Sequence, residues 1–316
     1  MSGARSSGTL TFVIINPVSG PARRGTAEER VSLATDALDS VGLRAEILLT
    51  ESAGHAYELA RHAVGAGAEL VIAWGGDGTI NEVGRAVAFS NTALGIVPAG
   101  SGNGLARELG IPFFPRRALA YALRKPARSI DSAEIDGRLF FNVAGIGLDA
   151  HVAERVSRKH HAHGGLRRYV VASTREILTY RPLEYLIQTD QEAFRKSLLL
   201  VAFANARQYG YGATIAPTAN VSDGQLELVM IEDRGLAGNL AVEGAGASDR
   251  AHATRPRHHD GLDRARHPAR IGNGNHQRIA RSVCPIITRE FEGLQRFGGH
   301  PGPGFKSQSG GHTAVP

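Results

Sequence analysis

Residues 9–125 alternate short apolar segments with longer amphipathic ones, and this alternation constrains the fold more than any other feature. The apolar segments predict strands and the amphipathic segments predict helices. Regular alternation of the two is typical of a mainly parallel sheet with crossover helices, which binds ligands at the carboxyl ends of its strands. The predicted strands are residues 9–15, 45–50, 70–74 and 93–97, and the predicted helices are residues 23–41, 54–64, 79–89, 103–109 and 116–124.

The pattern changes to a β-rich one after residue 128. Asp136-Gly137 and Asp223-Gly224 are dipeptides of the kind that forms hairpin turns, so we expect an antiparallel second domain. The cleft between the two domains is then the expected active site. The predicted strands are residues 129–135, 139–143, 183–189, 197–205 and 225–231, with one predicted helix at residues 167–180.

Composition excludes several classes of protein. The single cysteine, Cys284, cannot form an internal disulfide, and no Cys-x-x-Cys cluster is present to bind zinc. The longest wholly apolar run, residues 198–204, is far shorter than the ~20 residues of a membrane-spanning helix. The net charge of +6 arises mostly after residue 240, so it does not predict a nucleic-acid partner for the main body. We expect a cytoplasmic protein.

Polar turns rich in glycine follow three of the predicted strands. Residues 16–20 read Asn-Pro-Val-Ser-Gly, residues 75–79 read Gly-Gly-Asp-Gly-Thr, and residues 98–103 read Pro-Ala-Gly-Ser-Gly-Asn. Glycine exposes main-chain N–H groups, and a helix N-terminus favours an anion. Three such turns at one sheet edge therefore predict a nucleotide-phosphate site. Asp77 would repel a phosphate there unless Mg²⁺ or a substrate proton lies between them.

These three turns, in this order, resemble the diacylglycerol kinase catalytic-domain superfamily, which includes diacylglycerol, sphingosine and ceramide kinases and bacterial lipid kinases. The resemblance continues through residues 142–149 (Asn-Val-Ala-Gly-Ile-Gly-Leu-Asp) and 217–226, and it covers about residues 10–234. It implies an α/β fold: an N-terminal doubly wound nucleotide-binding domain like that of NAD kinase and phosphofructokinase, and a C-terminal antiparallel β-sandwich. We assign residues 9–127 to the first domain and residues 128–234 to the second, which we expect to be incomplete.

The resemblance also implies roles for individual residues. Asp77 matches the catalytic acid that orients the γ-phosphate, its metal or the attacking hydroxyl. Asp131 and Asp149 match positions near the substrate or the metal. A structural Mg²⁺ would be bound by the Asp223 carboxylate and by main-chain carbonyls of Asn220 and Gln225. The ATP-contacting positions are Asn16, Ser19, Gly20, Thr50, Gly75, Gly76, Asp77, Gly78, Thr79, Ile80, Asn81, Ser101, Gly102 and Asn103.

The activity implied by the resemblance is transfer of the γ-phosphate of ATP to the hydroxyl of a lipid such as diacylglycerol or a sphingoid base, in phospholipid biosynthesis. ATP and Mg²⁺ are the implied cofactors. The implied partner is a lipid substrate at a membrane surface, with the enzyme bound peripherally at the inner face of the membrane. No nucleic acid and no transmembrane segment are expected, and the oligomeric state is left open.

Two departures from the family pattern lead us to expect impaired activity. Gly104 stands where many relatives have an aspartate. Relatives also carry an Asp-Gly-Glu turn, whose glutamate acts as the base on the lipid hydroxyl, and no such turn follows Ile231.

The chain changes character at about residue 241. Only about 22 of the 76 residues from 241 to 316 are apolar, no strand or helix period persists, and arginine, glycine and histidine are frequent. This bias resembles a GC-rich gene translated in the wrong frame. We predict that residues 241–316 are either a disordered or a frame-shifted tail.

Three alternatives compete with this interpretation. A P-loop is rejected because Thr26 stands where the Walker spacing requires lysine. An NAD(P)-dependent oxidoreductase is suggested by the dinucleotide fingerprint at residues 145–150 and by the Tyr-x-x-x-Lys spacing of Tyr121 and Lys125. A non-catalytic nucleotide- or lipid-binding protein is the third alternative, and it would retain nucleotide without turning it over.

Overall fold

The computed structural model describes residues 10–20, 25–135, 137–148, 150–151, 180–188, 193–210, 212–232, 269–272 and 276–287. Its helices are α1 (Ala27–Asp39), α2 (His55–Gly65), α3 (Asp77–Val87), α4 (Gly104–Glu108) and α5 (Pro115–Arg124). Its strands are β1 (Thr11–Ile15), β2 (Ala45–Leu49), β3 (Leu70–Gly75), β4 (Ala93–Pro98), β5 (Ala127–Ile135), β6 (Arg138–Phe140), β7 (Val143–Gly147), β8 (Leu183–Gln188), β9 (Ala193–Ala204), β10 (Gln208–Gly210), β11 (Ala213–Thr214), β12 (Glu227–Glu232), β13 (Ala269–Gly272) and β14 (His276–Ile287).

The N-terminal part is a parallel sheet in the order β4-β3-β1-β2. Every residue of β1, β3 and β4 is buried, which explains why these strands are continuous apolar runs and not alternating ones. Since β2 and β3 flank β1 on opposite sides, right-handed crossovers place α1 and α2 on opposite faces of the sheet. α5 packs with α1 on one face, and α2 packs with α3 on the other.

Local sequence signals define the ends of these helices. Thr26 caps α1 in a capping box, in which its side chain accepts from the Glu29 N–H and the Glu29 carboxylate accepts from the Thr26 N–H. α5 begins with Pro115, a residue suited to the first turn because its missing N–H has no partner in a helix. No helix among the described residues is long and apolar enough to cross a membrane.

The second half is antiparallel, as predicted. β9 pairs with β7, β8 and β12, and β5 pairs with β6 through a turn at Gly137, whose φ of 77° is left-handed. Its core includes Tyr185, Val201 and Phe203. Burial, with Tyr180 beside it, raises the pKa of the Tyr185 phenol, so that side chain is neutral. The predicted class, a parallel α/β part followed by an antiparallel part, is confirmed.

Several local predictions differ from the structure. The predicted strand 139–143 is two strands, β6 and β7, separated at residues 141–142. The Asp223-Gly224 turn does not form a hairpin, because β11 before it pairs with β10 while β12 after it pairs with β9. The predicted helix 167–180 lies outside the described residues except for Tyr180. The domain limits 9–127 and 128–234 stay predictions.

Two strands occur in the region where the sequence predicted none. β13 pairs with β8, and β14 lies between β4 and β5, antiparallel to β5 from Ile279–Ile135 to Ile287–Ala127. The structure thus contains strands at residues 269–272 and 276–287, although the sequence there shows no strand periodicity. The physical reason is that the edges of β4 and β5 offer main-chain donors and acceptors, which a strand satisfies whatever its hydrophobic period. The assignment of residues 241–316 to a disordered or frame-shifted tail stays a prediction.

Candidate active site

The first glycine-bearing turn, residues 16–20, is held from two sides. Asn16 Nδ2 donates to Thr79 Oγ1 at the start of α3, at 2.9 Å. From α1, the Arg30 guanidinium donates to the Asn16 carbonyl at 2.6 Å, and to Ser19 Oγ and the Ser19 carbonyl at 2.9 Å each. Arg30 is only 2% exposed. A buried positive charge therefore lies directly against this turn, where it favours a bound anion.

The second and third turns touch each other through glycine backbones. A Cβ added at Gly76 would lie 3.1 Å from Gly100 Cα, and one added at Gly100 would lie 2.6 Å from Gly76 Cα. A Cβ at Gly75 would lie 2.4 Å from Thr79 Cβ. Close approach of backbone therefore requires glycine at residues 76 and 100, and the Thr79 side chain leaves no room for a Cβ at residue 75.

The Asp77 carboxylate connects the second turn to the third. Its Oδ2 accepts from the Asn103 N–H at 2.7 Å and its Oδ1 from the Gly104 N–H at 2.8 Å. Asn103, in a left-handed conformation at φ 48°, braces the third turn by accepting from the Gly100 N–H and donating to the Gly100 carbonyl. Asp77 is exposed, and each oxygen of an ionised carboxylate has a further lone pair. The same side chain can thus position both turns and bind a cation.

Asn142, which lies between β6 and β7 of the antiparallel half, packs against the first residue of α4. A Cβ at Gly104 would lie 2.5 Å from Asn142 Nδ2, which donates to the Gln208 carbonyl at 3.0 Å. Asn142 Oδ1 is buried without a hydrogen-bond partner among the described residues. The side-chain amide of Asn142 occupies the space that an aspartate side chain at residue 104 would need. This accounts for the glycine at that position.

α4 is also held at its other end by the antiparallel half. The Glu108 side chain, 5% exposed, accepts from Arg207 Nε at 2.9 Å and from the Arg207 N–H at 3.2 Å. Asn205, which is fully buried, donates through Nδ2 to the carbonyls of Asp131 and Phe141. The Arg207 contacts fix the antiparallel half against α4, whose first residue, Gly104, donates to the Asp77 carboxylate.

A second group of predicted residues lies around the turn 220–225, apart from the glycine-rich turns. Asp131 Oδ2 accepts from the Gly224 N–H, and the Asp131 N–H donates to the Val221 carbonyl. Asp223 Oδ1 accepts from the Gln225 N–H, and Asn220 Oδ1 accepts from Ser222. Asp131 is thus placed with the proposed structural metal site. Carboxylate and main-chain carbonyl oxygens are hard donors of the kind that Mg²⁺ prefers, so the chemistry of this turn suits that ion. Within the part of the chain that the structure describes, no three His, Cys, Asp or Glu side chains are grouped so that they could hold a metal ion.

The remaining predicted ATP positions lie along the same sheet edge. Thr50 follows β2 and donates its N–H to the Ile15 carbonyl, beside the first turn. Gly20 has a left-handed φ of 79°, and Ser101 is exposed. Ile80 is 1% exposed in the core, so its side chain is not available to a ligand. Gly78 is exposed, while Asn81 and Gly102 are partly exposed. Asp149 lies outside the described residues.

Sequence reasoning missed four residues that support this site: Arg30, Asn142, Asn205 and Arg207. Arg30 lies on an amphipathic helix, where an arginine is usually solvated, and its burial could not be read from the sequence. The two asparagines occur at strand ends, and only their partners reveal their role. The one available signal was the resemblance at residues 142–149, which begins with Asn142.

Comparisons with known proteins identify the family. The model described as diacylglycerol kinase catalytic domain matches residues 11–135, and that of the YegS C-terminal NAD kinase beta sandwich-like domain matches residues 142–242. A protein named diacylglycerol kinase from Mycobacterium tuberculosis is 33% identical over 226 residues, which are 69% of this chain and 72% of that protein. The chain belongs to the diacylglycerol kinase catalytic-domain family.

Further members of the diacylglycerol kinase family agree with this assignment. A protein named "Probable lipid kinase YegS-like" from Chromohalobacter salexigens is 33% identical over 225 residues, 70% of each chain. The solved structure of a diacylglycerol kinase from Bacillus anthracis superposes with a TM-score of 0.67 at 19% identity, covering 89% of this chain and 97% of that one. That likeness shows the fold.

Membership of the diacylglycerol kinase family disagrees with the oxidoreductase alternative, and the geometry does so too. Gly145 and Gly147 lie inside β7, which is antiparallel to β9. A dinucleotide fingerprint requires a turn between a strand and a helix of a parallel unit. Tyr121 is partly buried on α5, packed against the N-terminal core.

Proposed function

We propose that this chain is a lipid kinase that transfers the γ-phosphate of ATP to the hydroxyl of a lipid such as diacylglycerol or a sphingoid base. One observation carries the proposal: three glycine-bearing turns converge at one sheet edge around Asp77, whose carboxylate joins two of them. Family membership supports the same reaction, because the relatives are named diacylglycerol kinase and lipid kinase.

The residues present suit phosphoryl transfer, which needs positioning and charge neutralisation more than covalent catalysis. Glycine in the turns would let the ATP phosphates approach the main chain, and the buried Arg30 charge would favour their negative charge. The exposed side of the Asp77 carboxylate would hold Mg²⁺, which supplies neutralisation of charge on the transferring phosphoryl group. In the net reaction the bond between the β,γ-bridging oxygen and the γ-phosphorus breaks and ADP leaves with that oxygen. The lipid oxygen bonds to the γ-phosphorus, and the proton of its hydroxyl passes to solvent.

The acceptor is proposed to be a lipid at a membrane surface, with the protein bound peripherally at the inner face. We further propose that turnover by this chain is slow, because no Asp-Gly-Glu turn follows Ile231 to supply a base for the hydroxyl. A general base contributes typically 10²- to 10⁴-fold to a rate, so its loss lowers kcat without preventing nucleotide binding.

The test is a transfer assay with γ-labelled ATP, Mg²⁺ and a panel of diacylglycerols, ceramides and sphingoid bases. We expect the wild-type chain to label one class of lipid, and Asp77→Asn to abolish labelling. Asp36→Asn makes the same chemical change at an exposed carboxylate of α1 and should retain activity. An asparagine at residue 77 cannot accept from the N–H groups of both Asn103 and Gly104. The thermal unfolding of Asp77→Asn must therefore be measured as well, and we expect its free energy of unfolding to fall by about 1 kcal/mol.

The panel also distinguishes the alternative of a non-catalytic binder. Retention of ATP with no labelling of any lipid would favour a binding protein. Undiminished labelling by Asp77→Asn would contradict the role given to that residue.

A further inference from the structure

The segment between α4 and α5 carries an unusual combination of charge and exposed aromatic surface. Residues 109–130 contain five basic residues, Arg116, Arg117, Arg124, Lys125 and Arg128, and no acidic residue. All five are exposed. Within the same segment Phe114 is 69% exposed, although α5 buries its other face through Ala118, Leu119, Ala122 and Leu123. The helix thus packs on the core without using this ring.

Two neighbouring phenylalanines are each covered by an arginine. The Arg107 guanidinium lies 4.6 Å from the centre of the Phe113 ring, and the Arg117 guanidinium lies 5.5 Å from that of Phe114. Pro112 and Pro115 flank the pair and restrict its backbone. Stacking under guanidinium groups holds the rings at the surface in a fixed orientation. We call Arg107, Phe113, Phe114 and Arg117 the aromatic–arginine patch.

The patch adjoins the proposed active site through one side chain. Arg107, which covers Phe113, also donates through Nε to the Gly102 carbonyl at 3.0 Å. Gly102 lies over Asp77, since a Cβ added there would be 3.0 Å from Asp77 Oδ2. A ligand bound to the patch is therefore next to the turn that holds the proposed catalytic carboxylate.

The chemistry of the patch selects one kind of partner. Aromatic rings sit favourably at the boundary between lipid headgroups and acyl chains, and guanidinium groups bind phosphate. A second copy of this chain is disfavoured because two basic segments would face each other. Arg116 forms an ion pair with Asp36 at 3.8 Å, but both side chains are largely exposed, so the pair neutralises little of the charge of the segment.

We propose that the aromatic–arginine patch is the surface by which this protein docks on anionic lipid bilayers, bringing the active-site turns to the lipid. The inference rests on the proposed lipid substrate, but the docking itself requires neither ATP nor turnover. Each basic side chain near an anionic surface contributes about 1 kcal/mol, which is about fivefold in partitioning, and burial of an exposed phenylalanine adds roughly tenfold or more.

The experiment measures binding of the full chain to vesicles without nucleotide, by sedimentation. We expect binding to vesicles of equal parts phosphatidylglycerol and phosphatidylcholine, weakened by salt, and little binding to phosphatidylcholine alone. Phe114→Ser should lower the partition coefficient about tenfold and Arg117→Gln about fivefold. The matched controls are Phe89→Ser and Arg44→Gln, and both variants should bind like wild type. Phe89 follows the C-terminal end of α3 and has a 67% exposed ring, and Arg44 carries an exposed charge before β2.

Three outcomes would overturn the proposal. The first is no binding of the wild-type chain to anionic vesicles, and the second is an equal loss in the controls. The third is a fall in oligomeric mass caused by Phe114→Ser without any change in vesicle binding, which would assign the patch to self-association.

Kinase activity is assayed separately on a dispersed short-chain lipid. Loss of vesicle binding with labelling retained confirms docking, and vesicle binding without labelling refutes only the kinase assignment.

Discussion

At the scale of single residues, Phe89 shows a local conflict between sequence and backbone. It has a φ of 64°, a left-handed conformation that bulky residues rarely adopt, and its ring is 67% exposed. Because few contacts compensate for the strain, we expect Phe89→Gly to raise the free energy of unfolding by about 1 kcal/mol.

The matched control is Phe114→Gly, because Phe114 is equally exposed but has an ordinary φ of −80°. There the substitution should lower stability by about 0.5–1 kcal/mol through added freedom of the unfolded chain. Urea denaturation measures both. Destabilisation of similar size at both positions would show that the backbone of residue 89 is not strained.

Single residues also show what the sequence could and could not predict. The glycines at 75, 76 and 100 and Asp77 were recognisable because their motif occurs at a predicted strand end. Arg30 was not, because burial of a guanidinium depends on two carbonyls and a hydroxyl that only the folded first turn presents. Asp131 was assigned to a position near the substrate or the metal, but its hydrogen bond with the Gly224 N–H could not be predicted, because no sequence pattern indicates a pairing across 93 residues.

At the scale of elements, the attachment of α4 to the antiparallel half depends on the absence of a side chain at residue 104. A Cβ there would displace Asn142 Nδ2, which donates to the Gln208 carbonyl. We expect Gly104→Ala to lower the free energy of unfolding by about 1–2 kcal/mol. In the background Asn142→Ala, where the space is free, the same substitution should cost much less.

A double-mutant cycle by denaturant unfolding gives the coupling between these two positions. We expect a coupling of about 1 kcal/mol, in the sense that the double variant is more stable than the sum of the single changes predicts. Additive effects would mean that residues 104 and 142 do not compete for the same space.

The turn 220–225 is the element that would bind the proposed structural Mg²⁺. We expect Mg²⁺ to raise the melting temperature of the wild-type chain and Asp223→Ala to remove that rise, because the turn would lose its carboxylate ligand. Asp36→Ala, at an exposed carboxylate of α1, serves as the control and should keep the Mg²⁺ response. An unchanged Mg²⁺ response in Asp223→Ala would count against the site.

Helices and strands could be predicted from the sequence where it carried a hydrophobic periodicity or a turn motif. The four parallel strands and the Asp136-Gly137 hairpin follow from such signals. The Asp223-Gly224 dipeptide carried the same signal and was misinterpreted, because a turn motif does not specify which strands pair on either side of it. β14 could not be predicted either, since its place between β4 and β5 depends on two distant edges.

At the scale of the whole molecule, similarity in sequence and similarity in fold extend over different lengths. The family models match the chain only to residue 242. The fold likeness to the Bacillus anthracis structure covers 89% of the chain. The sheet position between β4 and β5 is filled by residues 276–287, which lie beyond the match to the YegS C-terminal domain model.

We propose that the sequence from about Ala241 onward arises from a shift of reading frame. The proposal is supported by the abrupt fall in apolar content at the point where the family match ends.

We expect another frame of the DNA near codon 240 to encode alternating strands and an Asp-Gly-Glu turn. The chain restored in that frame should have a higher kcat, because it regains a base for the lipid hydroxyl. Hydrogen exchange then compares the two chains. Amides of residues 276–287 in the present chain should be protected through β14, but less than their counterparts in the restored chain, because the present tail has less apolar surface to bury. A frame search that finds neither strands nor Asp-Gly-Glu would refute the shift, and would make this tail a genuine departure of the chain from its family.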